Sequence, residues 1–87
     1  MNRKDQQQLQ KEILGFLGLF ANSMAKLGNC DVSIKVERMV LEIKKAKKRG
    51  GLHHMSDDDL IGLHNEAKLV FNQTQEEIKR RETGNKK

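Results

Sequence analysis

No proline interrupts the 87 residues. No fixed ring is present to kink a long helix or to remove a backbone donor from its ladder. Gly, Asn and Ser fall in two clusters, "LGNCD" (Leu27 to Asp31) and "RGGLHHMSDDD" (Arg49 to Asp59), which cut the chain into three stretches of helical periodicity.

The first stretch, about residues 5–27, places Leu9, Ile13, Phe16, Leu17, Phe20, Met24 and Leu27 on one face. Gly28 then supplies the left-handed residue that commonly closes a helix. The second, about residues 31–49, puts Val32, Val36, Met39, Val40, Ile43 and Ala46 on one side. Its opening "DVSIKVE" also alternates apolar and polar like a strand, but the helical period runs on to Ala46, so a helix is predicted there. Gly50 and Gly51 end it.

The third stretch, about residues 57–82, has the clearest start. Ser56 is a good N-cap, Asp59 stands at the third helical position, and Asp57, Asp58 and Asp59 face the positive end of the helix dipole. Met55 and Leu60 are placed for a hydrophobic staple. Leu60, Leu63, Ala67, Val70, Phe71, Thr74 and Ile78 then share a side, and Glu76 with Arg80 and Glu77 with Arg81 are spaced for i,i+4 pairing. Residues 83–87 are expected to fray. The prediction is an all-α fold: a small antiparallel three-helix bundle in a single domain over 1–87, which homodimerisation would complete.

Composition makes help from a second chain worth considering. A domain of this length buries little more than ~60% of the surface its unfolded chain exposes. Here 36% of the residues are hydrophobic, with three Phe and neither Trp nor Tyr, so Leu, Ile, Val and Met must fill most of a thin core. The single cysteine, Cys30, cannot form an internal disulfide, and the N-terminal residues lack the order of a signal peptide. Both point to a reducing, cytoplasmic setting. The net charge of +5 suits an anionic partner without requiring one.

The first helix carries the most telling surface. Leu14, Gly18, Ala21 and Ala25 form a second stripe, roughly 100–120° around the helix from the main apolar face. Small residues in a row let another backbone come close, so the stripe can receive a neighbouring helix of the same chain or one from elsewhere. It is too short and interrupted for a membrane span, since Asn22, Ser23 and Lys26 break the apolar run. Its polar side, with Lys11, Glu12, Asn22 and Lys26, also lacks the strongly basic character of a membrane-surface helix.

Lys44, Lys45, Lys47, Lys48 and Arg49 crowd the end of the second helix. Such a run complements the helix dipole in solvent, or contacts phosphates in a salt-sensitive way, with Arg80 and Arg81 as a supplement. It reads no base sequence, and the chain scarcely has the aromatic platforms that single-strand binding uses. His53, His54, His64 and Cys30 lack metal-ligand spacing, and the three aspartates are accounted for as a helix start. Neither a catalytic constellation, a phosphate loop nor a cofactor motif is present.

The chain is therefore expected to be non-enzymatic, with no cofactor, metal or small-molecule substrate. Two functions remain open. One is a small regulator or inhibitor that binds a protein partner, or a second copy of itself as a homodimer, through the stripe. The other is a nucleic-acid-binding accessory protein that uses the basic run.

Overall fold

The computed structural model describes residues 2–84, with side chains described through Glu82. Three helices form: α1 (Arg3–Leu27), α2 (Asp31–Lys48) and α3 (Asp57–Gly84), with a short 3-10 turn at Leu52–His54 before α3. Among the described residues there is no strand, so "DVSIKVE" is helical. Cys30 N–H donates to Ser33 Oγ at 3.0 Å, and that hydroxyl donates back to the Cys30 carbonyl at 2.7 Å. This local closure holds the first turn in helical form, which an alternating pattern alone does not do.

The other boundaries have equally local causes. α1 begins two residues before the expected start because the Asn2 side chain accepts from the Asp5 N–H at 2.9 Å, an N-cap. It ends at Gly28, whose φ of 63° favours glycine. Ser56 caps α3 by accepting from the Asp59 N–H at 3.2 Å. Helix α3 continues through Thr83 and Gly84, where fraying was expected, while 85–87 lie outside the described residues.

Chain direction follows from contacts at the two ends. Gln6 donates to Asp57 at 2.6 Å at one end, and Arg81 reaches the Leu27 carbonyl at the other, so α1 and α3 run parallel. Helix α2 descends antiparallel to both, with Lys35 Nζ 3.4 Å from Gln73. The result is an antiparallel up-down-up bundle measuring 50 × 22 × 17 Å.

The core consists of the faces read from periodicity. Ile13, Phe16, Phe20 and Leu27 of α1, Val36, Met39 and Ile43 of α2, and Leu60, Leu63 and Ala67 of α3 are buried together. Leu9, Leu17, Met24, Val32, Val40, Ala46, Val70, Phe71 and Ile78 pack around them half-buried. The three Phe gather: Phe16 lies 5.7 Å from Phe20 and 5.6 Å from Phe71 between ring centroids. Each such pair adds about 0.5–1.5 kcal/mol beyond the area it buries, which matters in so thin a core. Leu52 of the 3-10 turn is also buried, closing the end of the bundle where α2 gives way to α3.

Candidate protein-binding face

Helix α1 meets both neighbours with one stripe, and the other stays in solvent. Leu14, Gly18, Ala21 and Ala25 are all exposed, and a Cβ built at Gly18 would meet nothing within 4 Å. Three mutually touching helices each turn one face to a common axis, so the face carrying Ile13, Phe16 and Phe20 already serves α2 and α3. The small-residue stripe is surplus to folding.

Beside the stripe, a groove of about 630 Å³ lies between α1 and α2. Leu17, Gly18, Ala21 and Met24 line it from α1, and Val40 and Leu41 from α2, with Glu37 and Lys44 also contributing. Because the two helices are antiparallel, Lys44 lies toward the Leu17 end of the groove and Glu37 toward the Met24 end. The two charges are one heptad apart, ~10 Å along the helix, and flank an apolar floor. Leu41 is 59% exposed, more so than Leu14 at 41%. Periodicity did not single it out, although its position opposite the Val36, Met39 and Ile43 face marks it as an apolar residue on a polar side.

The basic residues do not make one site. Lys44, Lys45, Lys47, Lys48 and Arg49 are all exposed around the end of α2, and among the described residues none of them is ion-paired. Arg80 and Arg81 lie at the opposite end of the bundle, where α1 ends and α2 begins. Both arginines meet Glu77, Arg81 at 3.0 Å, and Arg81 also donates to the Lys26 and Leu27 carbonyls. Arg80 thus pairs three residues back with Glu77. The spacing had matched it to Glu76.

The histidines and Cys30 are dispersed. His53 and His54 are exposed, with ring centroids 4.3 Å apart, and their rings lie over the backbone of Gly51 and Gly50. His64 Nε2 is 2.7 Å from Glu12 Oε1 and its ring lies 6.1 Å from Phe16, linking α3 to α1. Hydrogen bonds from Gln8 and then His64 hold the Glu12 carboxyl below its ordinary pKa, against the opposing effect of desolvation and with help from the charges of His64 and Lys68. Among the described residues no three His, Cys, Asp or Glu side chains gather to hold a metal ion.

A second groove, of about 550 Å³, runs between α1 and α3, but Asn22, Lys26, Gln75, Lys79 and Glu82 give it a mixed polar rim. Among the described residues no helix is long and apolar enough to cross a membrane. The molecule is a three-helix bundle with an open apolar groove between α1 and α2. Compared with known proteins, the chain matches no family model, no curated protein and no solved structure.

Proposed function

We propose that the protein is a small, non-catalytic helical module that works by binding another polypeptide through the α1–α2 face, and so acts as a regulator or inhibitor of what it binds. The observation that carries this reading is the stripe Leu14, Gly18, Ala21 and Ala25, left in solvent beside an apolar groove although the core is complete without it. Small residues on an exposed helix bring an incoming backbone close, and Leu17, Met24 and Leu41 supply apolar surface on either side. The setting that suits a lone reduced cysteine is the cytoplasm.

A photo-crosslinking side chain at Ala21 tests this in cells, with the same group at the exposed position Glu66 as a control. Adducts with polypeptide are expected at Ala21 and not at Glu66. Absence of any Ala21-specific protein adduct would overturn the reading.

One observation favours a second function, nucleic-acid binding at the end of α2: five exposed cations that have no ion-pair partner among the described residues stand within six positions. Replacing Lys44, Lys45, Lys47, Lys48 and Arg49 by Gln is expected to abolish binding to a mixed-sequence duplex and to flatten its salt dependence. No duplex binding by the native chain at low salt removes this second function.

A further inference from the structure

The α1–α2 face has a pattern that is complementary to itself. On α2, Glu37 and Lys44 are centred on the level between Val40 and Leu41. On α1, Leu14 and Ala25 are centred between Gly18 and Ala21. The antiparallel packing sets the two segments side by side, because Leu17, Gly18, Ala21 and Met24 line one groove together with Glu37, Val40, Leu41 and Lys44.

We infer that the occupant of this face is a second copy of the same chain, related by a two-fold axis that lies in the interface and crosses α1 and α2 at the groove. The inference rests on the protein-binding reading above and names its partner. Such an axis reverses the helix direction, laying α1 against the partner's α1 and α2 against the partner's α2. Glu37 then faces the partner's Lys44, and Lys44 faces the partner's Glu37. Gly18 meets the partner's Ala21, so the two α1 backbones approach closely. Leu14 sits on the partner's Ala25, large against small. Leu41 falls beside the axis, where both copies bury a side chain that is exposed in the single chain.

Opposite charges on one helix at mirror positions about a shared centre are what an isologous contact needs, since each copy must offer both the group and its complement. A foreign partner would impose no such symmetry. Neither Glu37 nor Lys44 has an ion-pair partner among the described residues, so both remain available across the interface.

Charge reversal on the full chain, followed by sedimentation equilibrium, tests the arrangement. The native chain is expected to show a concentration-dependent monomer–dimer equilibrium. Glu37→Lys alone and Lys44→Glu alone each place like charges opposite one another twice, and each should raise the dissociation constant about tenfold or more. Mixing the two variants restores opposite charges at both contacts, so a mixed dimer should form where neither variant alone dimerises. Both positions are exposed, and thermal melts that match the native chain's at a dilution where it is monomeric will show that the monomer fold is intact.

A native chain that is monomeric up to ~1 mM, a concentration that captures even weak association, overturns the inference. A dimer that ignores both reversals, or that mixing does not rescue, overturns it as well. If the chain is monomeric and the Ala21 crosslinker captures a different polypeptide, self-association falls while protein binding through this face stands.

Discussion

The guanidinium of Arg81 donates to the carbonyl of Leu27, the last residue of α1, across 54 positions of sequence. A second N–H···O contact, 3.5 Å long, goes to Lys26. The terminal carbonyls of a helix carry the negative end of its dipole and lack partners within the helix. Arg81 supplies both charge and donors there, and Glu77 orients it at 3.0 Å. α3 thus closes the end of α1 and fixes the register of the parallel pair.

Replacing Arg81 by Met, which keeps the apolar stem, is expected to cost about 1 kcal/mol of stability. In a domain of this size that lowers the melting temperature by about 4–8 °C. Amide hydrogen exchange should accelerate chiefly in the last turn of α1. Uniform acceleration across the bundle would mean that the contact is not a local clamp.

The glycines separate by backbone conformation. Gly28 has φ 63° and ψ −147°, a region essentially restricted to glycine, so Gly28→Ala should destabilise by about 1–3 kcal/mol despite open space around it. Gly15 and Gly62 lie within helices, and a Cβ there meets nothing within 4 Å. Alanine at either position is expected to stabilise by about 0.5–1 kcal/mol. Urea unfolding of the three single variants checks both signs.

Thr74 is fully buried, and its hydroxyl donates to the Val70 carbonyl at 2.8 Å within the same helix. Thr74→Val replaces that hydroxyl with a methyl group of similar shape and leaves no donor stranded, so stability should equal or exceed that of the native chain. Thr74→Ser keeps the bond but opens a methyl-sized gap, at a cost of about 1 kcal/mol. The order Val, Thr, Ser in melting temperature is the expected result, and Val falling lowest would contradict it.

Glu12 gives stability an acid dependence. Its folded pKa is depressed by Gln8 first and His64 second, so the unfolded chain binds more protons than the folded one between the two pKa values. Its contribution is therefore fully present above the ordinary glutamate range and is lost as pH falls through the folded value. A Glu12→Gln variant should lose stability less steeply than the native chain across that acid window. Parallel curves in urea unfolding from neutral to low pH would show that Glu12 is not a source of the slope.

Nearly all of the core was legible along the chain. Ile13, Phe16 and Phe20, then Val36, Met39 and Ile43, then Leu60, Leu63 and Ala67 recur at helical spacing and are buried as that spacing requires. The Ser56 cap and the Gly28 stop were legible for the same reason, since each works within a few residues of itself. Leu52 was not, because a buried side chain in a short turn has no period to announce it.

What the sequence by itself determined is local: three helices, their breaks, and a first helix apolar on two sides. Which of those sides would be covered depended on how the three axes meet, and only the tertiary structure decided it in favour of Ile13, Phe16 and Phe20, leaving Gly18 and Ala21 in solvent. Likewise, the list of basic residues did not say that Lys48 and Arg81 lie at opposite ends, because that follows from the up-down-up path. Periodicity is set by the geometry of a single helix, whereas the open face and the placement of charge are set by packing between helices, where residues distant along the chain compete for the same neighbours.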